Sequence, residues 1–174
     1  LVSCSDEAVA AAAPVPLAVT HNLDLGMSFA WQTNDRAGSG PKQDFPDVFD
    51  PAFETHVRRR AREHCAARSG EQHLIGWFID NELRWGADWR GPDDLLTLFL
   101  RLSSATPGRI AAADWLRQRH GGDPTAADGA AFVGLLADRY FALTVAAIKA
   151  ADSHHLVLGC RFALPPPAAV IEAA

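Results

Sequence analysis

Long apolar runs are missing from this chain. The longest, Ala8 to Val19, has 12 residues and two prolines. It is too short and too broken to span a bilayer, so no membrane-spanning segment is expected. Lysine is nearly absent: of 16 basic residues only Lys42 and Lys149 are Lys, and positive charge comes almost wholly as planar guanidinium forks. An excess of positive charge is lacking too. The formal net charge of −5 argues against a nucleic-acid partner, which calls for a clustered basic face. Cysteine is sparse. Cys4, Cys65 and Cys160 are odd in number, widely spaced and form no CxxC pair, so they read as reduced, mostly buried thiols.

The common signatures of cofactor and nucleophile sites are absent as well. No GxSxG elbow, Walker loop or GxGxxG after a strand occurs. The histidines form no HExxH; His154-His155 has no ligand partner at suitable spacing, and His56 and His64 are two helical turns apart. No metal and no cofactor are expected. No internal repeat of the solenoid type is present.

What is present is one domain's worth of chain: 174 residues, 48% of them hydrophobic. A complete (β/α)₈ barrel takes about 250 residues, so a smaller fold or a piece of a larger one is expected. Both ends read as cut, since the chain starts at Leu1 without Met and stops at Ala174 inside an apolar helical pattern. Leu1-Val-Ser-Cys4 matches a lipoprotein cleavage site, but nothing charged or apolar precedes it, and chance is the expected explanation.

Residues 6–13 read as a helix end and Pro14-Val-Pro16 as a break. Residues 17–50 read as a strand, over Leu17 to Leu25, followed by a long loop from Gly26 to Val48 with Gly38, Gly40, Pro41 and scattered aromatics. Asp50 as N-cap and Pro51 at the first position open a helix over 51–69. Phe53, Val57, Ala61, His64 and Cys65 form its apolar stripe, and Arg58, Arg59, Arg60 and Arg62 its solvated face. Residues 73–82 hold Leu74-Ile-Gly-Trp-Phe-Ile79, the apolar run of a strand buried on both faces. Residues 92–151 read as helices: Pro92 to Leu102, Pro107 to Arg119 and, after a Gly121–Pro124 turn, Ala126 to Ala151. A second buried strand over 155–162 and the start of a further helix over 166–174 complete an alternation that indicates a parallel sheet.

The buried strand ends in Asp80-Asn81-Glu82, with Trp85 and Trp89 close behind. Parallel α/β folds place chemistry at the C-terminal ends of their strands. A carboxyl there, near apolar rings, is expected to have its charged form disfavoured, which suits a general acid working near neutrality. Asn81 adds donors for a sugar hydroxyl, and aromatic faces suit the apolar faces of pyranose rings. The same residues also fit a structural reading, in which Asp80 or Asn81 caps a helix and Glu82 is simply exposed. From the residues alone the two readings stay open.

Ile75-Gly-Trp-Phe-Ile-Asp-Asn-Glu82-Leu-Arg-Trp85-Gly resembles the fourth-strand motif of the retaining (β/α)₈ glycoside hydrolases of clan A. Its wording is most similar to the family 50 β-agarases, with the family 42 β-galactosidases next. Phe45-Pro-Asp-Val-Phe-Asp-Pro-Ala-Phe53 and His155-Leu-Val-Leu-Gly-Cys-Arg-Phe162 resemble the same family, in the same order. The resemblance implies a partial TIM barrel covering about strands three to five, incomplete at both ends. It implies hydrolysis of β-galactosidic bonds in agarose-type poly- or oligosaccharide, with Glu82 as acid/base and Asn81 orienting the substrate. It makes Trp31, Trp85 and Trp89 candidate sugar-stacking residues and Arg161 a support, while Trp77 reads as core. The second carboxylate of a retaining pair lies about 5–5.5 Å from the first, and none is legible here: Glu172 lies on a helix and Asp80 reads as turned away. The chain alone is therefore expected to be inactive and, with apolar flanks exposed, prone to aggregate. A noncatalytic product that at most binds carbohydrate is the alternative. A bacterial secreted or periplasmic location is the expectation for the parent enzyme.

Overall fold

A four-stranded parallel sheet, in the order β1-β2-β3-β4, runs through the computed structural model, which describes residues 2–3, 18–34 and 45–174. Its strands are β1 (Val2–Ser3), β2 (Val19–Asn22), β3 (Leu74–Phe78) and β4 (Leu156–Val157). Parallel neighbours require crossovers. That from β2 to β3 carries α1 (Leu25–Asn34), α2 (Pro51–Cys65) and a 3₁₀ turn at Ala66–Arg68. That from β3 to β4 carries α3 (Leu95–Leu100), α4 (Pro107–Arg119) and α5 (Ala126–Ala151), and α6 (Ala168–Ala173) follows β4. The expected alternation of strands and helices is present. The N-terminal helix end at 6–13, the break at Pro14–Pro16, Cys4 and the glycines of 35–44 lie outside the described residues.

β2 and β3 are the inner strands, and β3 registers with β2 on one side and β4 on the other, with Thr20 opposite Gly76 and Gly76 opposite Leu156. Glycine is required at Gly76, since a Cβ there would stand 2.4 Å from the Leu156 carbonyl oxygen. Fully buried aromatics, among them Phe45, Phe53, Phe99, Phe132, Trp77 and Tyr140, fill the core.

α2 begins as its sequence dictates: the Asp50 carboxylate accepts from the Ala52 N–H at 2.8 Å, and Pro51 occupies the first turn. Arg58 and Arg59 pair with Glu54 and Glu63 one turn away, as on a solvated face, whereas Arg60 donates to the Leu23 carbonyl at 2.8 Å. The stripe differs in one member. His64 is exposed, and His56 is the buried histidine, in contact with Ser28 Oγ at 2.8 Å. Burial, with Arg59 and Arg60 adding to it, lowers His56 to about 4.

α5 has the bounds expected from its apolar period. Thr125 and Asp128 close a reciprocal capping box at its start. By length and composition alone this 26-residue helix could cross a bilayer, its most apolar 18 residues having a mean hydropathy of 1.6. Half of that stretch is buried inside the protein, with Phe132, Leu136, Tyr140 and Ile148 in the core.

Two expectations are corrected. The loop assigned to Gly26 to Val48 contains α1. Its first-turn donors are satisfied by a residue far away in sequence: Gly26 N–H and Met27 N–H donate to the two oxygens of Asp80 at 2.7 and 2.9 Å. Asp24 stands at the N-cap position, but its carboxylate accepts from Asn22 Nδ2 at 2.5 Å, and the carboxylate that caps the helix arrives from β3's end. The second buried strand, assigned to 155–162, shrinks to Leu156–Val157. Gly159 at φ +73 interrupts the ladder, and among the described residues β4 pairs on one side only, leaving Leu156 57% exposed.

Asp80 is fully buried and also accepts from Tyr140 Oη at 2.5 Å. Burial pushes its carboxyl up to about 7 against the hydrogen bonds from Tyr140, Met27 and Gly26, which pull it down. A second carboxylate is held in the opposite direction. Asp152 accepts from Trp77 Nε1 at 2.8 Å and faces His155 Nδ1 at 2.6 Å, while His155 Nε2 faces the Glu71 carbonyl at 2.9 Å. Both ring nitrogens of His155 thus meet acceptors, which only the imidazolium satisfies. Burial opposes both charges, yet these bonds bring Asp152 down to about 2 and raise His155.

Two predictions follow from these carboxylates. Asp80→Asn puts an amide where three donors converge and should cost about 2–4 kcal/mol, read as a lower urea midpoint; an unchanged midpoint would contradict the cap. For His155 the sign is that of a raised cation: its contribution is complete below the unfolded value of 6.5 and is lost as pH rises through the folded value. The stability gap between the wild type and His155→Gln should therefore narrow from pH 6 to pH 9. A gap constant over that range would show that His155 is not charged.

Candidate active site

Past Phe78 the β3 chain keeps its pairing without regular strand geometry. Ile79 N–H donates to the Gly159 carbonyl at 2.8 Å, Arg161 N–H to the Asp80 carbonyl at 2.9 Å, and Glu82 N–H to the Arg161 carbonyl at 2.8 Å. Asn81 and Arg161 form an isolated parallel bridge. These bonds carry Asn81 and Glu82 to the C-terminal edge of the sheet, with Ile79 and Asp80 buried, Asn81 half-buried and Glu82 exposed.

Glu82 has φ +55. A residue with a Cβ seldom adopts the left-handed region, and where it does the surrounding structure must hold it there. The holding groups are visible on both sides of the residue. Its N–H is fixed by Arg161, and its carbonyl accepts from Arg90 Nη1 at 2.8 Å.

The loop beyond Glu82 is organised by two arginines. Arg84 is buried, and its guanidinium donates to the carbonyls of Gly86, Gly91 and Asp93 at 2.7–2.8 Å. Arg90 grips Asp88 through Nε at 2.9 Å and Nη2 at 2.5 Å. Asp88 is correspondingly lowered: burial works against its charge, and the Arg90 bonds and the nearby Arg84 outweigh it. The Arg90 guanidinium also lies 4.7 Å from the ring centre of Trp89, a cation–π contact. A cleft of about 320 Å³ opens between this loop and the segment after β4, with Trp85, Trp89, Arg90, Phe162, Leu164 and Pro165 among its walls.

The structure brings some of the expected residues together and separates others. Asn81, Glu82 and Arg161 share the sheet edge, and Trp89, 63% exposed, reaches them through Arg90. The Arg161 guanidinium lies over the Phe78 ring at 5.8 Å. Trp85 is corrected from a sugar platform to a core residue. It is 5% exposed, and its face is covered by the Phe141 ring, stacked at 5.6 Å. Trp31 lies on α1 and is 56% exposed, and among the described residues no hydrogen bond or ring contact ties it to Glu82. The apolar enclosure expected around the Glu82 carboxyl is not built by this chain's described residues. Trp77 is core, donating to Asp152.

Sequence reasoning missed Arg84, Asp88, Arg90 and the Asp80–Tyr140 pair. Asp88-x-Arg90 was a readable signal, since an acid and a guanidinium two apart in a short loop close on one another. Among the described residues no group of three or more His, Cys, Asp or Glu could hold a metal ion.

No protein-family model matches the chain. It is similar to β-agarase A of Vibrio sp. (strain JT0107), at 31% identity over 163 aligned positions that take in 72% of this chain and 16% of that protein. The solved structure of BpGH50 superposes with a TM-score of 0.75 at 24% identity, over 95% of this chain and 38% of that one. An exo-β-agarase structure does so with a TM-score of 0.65 at 22% identity, over 91% of this chain and 26% of the other. The chain thus spans well under half the length of these relatives. It shares their fold over that stretch and is related to the family 50 β-agarases, a group of glycoside hydrolases.

Proposed function

We propose that this chain is the part of a retaining, agarase-like glycoside hydrolase that carries its acid/base, Glu82. The observation that carries the reading is the placement of Asn81 and Glu82. They stand at the C-terminal edge of a parallel sheet, with the Glu82 side chain exposed and its backbone held on both sides. That edge is where (β/α)₈ enzymes assemble their sites. In this reading β3 is the fourth strand of a barrel, so that β1 to β4 are its second to fifth strands, one more than the three to five expected from the sequence.

The substrate is a β-galactosidic bond in agarose-type polysaccharide or oligosaccharide. Glu82 gives a proton to the leaving oxygen as the glycosyl-enzyme forms, then takes one from the water that releases the sugar. Asn81 orients the sugar through a hydroxyl, and Trp89 offers an exposed ring near the same strand end. The reaction needs a second carboxylate about 5–5.5 Å from the first. Among the described residues Asp80 is buried and committed to α1 and Tyr140, and Glu172 lies on α6. The nucleophile therefore comes from elsewhere in the protein, and the described part alone has no turnover. A β-galactosidase of family 42 type would use the same half-site on a different sugar chain.

The test uses the protein that carries this chain, assayed on agarose, neoagaro-oligosaccharides and an aryl β-galactoside. Glu82→Gln should lower kcat/KM on the oligosaccharides by about 10²–10⁴-fold. The aryl substrate, whose leaving group needs little protonation, should lose far less in the first step. Undiminished oligosaccharide turnover in Glu82→Gln would sink the acid/base assignment.

A further inference from the structure

We propose that Arg90 is a positioning residue of this reaction, holding Glu82 in its left-handed backbone conformation and seating Trp89 beside it for the leaving-group sugar. The inference rests on the acid/base reading of Glu82 and adds how the carboxyl is aimed. Three contacts converge on one guanidinium. Arg90 Nη1 donates to the Glu82 carbonyl at 2.8 Å, Nε and Nη2 close on Asp88, and the planar head lies 4.7 Å from the Trp89 ring centre. Asp88 is itself fixed: its N–H and carbonyl pair with Gly91 at 3.0 and 3.1 Å, and its carboxylate accepts from Arg90 N–H at 2.8 Å. Arg84, buried behind the loop, pins its far end through the Gly91 and Asp93 carbonyls. The fork is thus anchored to a rigid loop and reaches back to the strained residue.

A left-handed backbone at Glu82 costs on the order of 1–3 kcal/mol. If the carbonyl lost its partner, the peptide after Glu82 could relax, and the carboxyl would swing with its Cα. Displacements of about 1 Å at a reacting group are enough to cost 10²-fold in rate. The acid/base protonates the leaving oxygen, and in this proposal the departing sugar sits against the loop that Arg90 ties to Glu82. Trp89 is the exposed ring of that loop. One of its faces meets Arg90, and the rest of its surface is open to a pyranose. A lysine could not reproduce this, because one ammonium cannot hold Asp88 by two nitrogens, lie flat on the ring and donate to Glu82 together.

The experiment compares Arg90→Ala, Arg90→Lys and Glu82→Gln in the protein that carries this chain, on neoagaro-oligosaccharides and on an aryl β-galactoside with a good leaving group. The expected result is a 10- to 100-fold loss of kcat/KM on oligosaccharides in Arg90→Ala, with the aryl substrate changed by less than about threefold. Added guanidinium ion should restore part of the Arg90→Ala loss, and Arg90→Lys should not recover it. Equal losses on both substrates with no guanidinium rescue would mean a structural role only and overturn the proposal, as would full oligosaccharide activity in Arg90→Ala. A loss in Glu82→Gln beside an unaffected Arg90→Ala removes only the role of Arg90. Undiminished turnover in Glu82→Gln removes the reading on which that role rests.

Discussion

The Asp80 carboxylate is the interaction on which the rest of this structure depends. It lies two residues before Glu82, is sealed from water, and accepts from the first turn of α1 and from Tyr140 of α5. One side chain therefore joins an inner strand, the helix after β2 and the longest helix. Each bond compensates part of the burial that pushes the carboxyl up to about 7. Gly26 belongs to the same arrangement, since a Cβ there would stand 2.9 Å from Asp80 Oδ2. The strand end that presents Glu82 is rigid because the residue beneath it is held from three directions.

A half-buried aspartate, Asp47, repeats the device at another helix. Asp47 accepts from the Gly108 N–H at the start of α4 at 2.7 Å, 61 residues away, where Thr106 makes no side-chain cap of its own. Burial raises the Asp47 carboxyl too, against the bonds from Gly108 and Phe49. Capping from a distance trades a local signal for a tertiary one. It fixes where a helix starts relative to a loop or strand, which a local Ser or Thr cannot do.

That trade explains what was legible in the sequence. α2 and α5 carry their own caps, Asp50 with Pro51 and Thr125 with Asp128; the start of α2 was read from its cap, and that of α5 from its apolar period after the Gly121–Pro124 turn. α1 was not read, because its capping carboxylate is Asp80 and the Asp24 at its own N-cap position was read as part of the strand over Leu17 to Leu25. β3 was readable as an apolar run ending in carboxylates. β4 was over-read, since His155 to Cys160 has the same apolar character but Gly159 breaks the ladder and one edge has no described neighbour. At the site, Asn81 and Glu82 stood out by position. Trp85 and Trp89 could not be separated by sequence, as four residues in a loop do not tell which ring turns inward. Arg84 escaped notice because it holds main-chain carbonyls, and backbone partners leave no mark in a sequence. The bond from Arg90 to the Glu82 carbonyl is of the same kind, although its pairing with Asp88 could have been read.

The central claim is that Glu82 is the acid/base of a double displacement, and azide tests it most directly. In Glu82→Ala, an aryl β-galactoside should still form the glycosyl-enzyme, which water, lacking its base, then releases slowly. Azide needs no base and should accelerate turnover, giving a galactosyl azide whose anomeric coupling in the proton spectrum shows the β configuration. Rate restoration with β-azide as product is the result predicted. No azide adduct, or an α-configured one, would contradict the account.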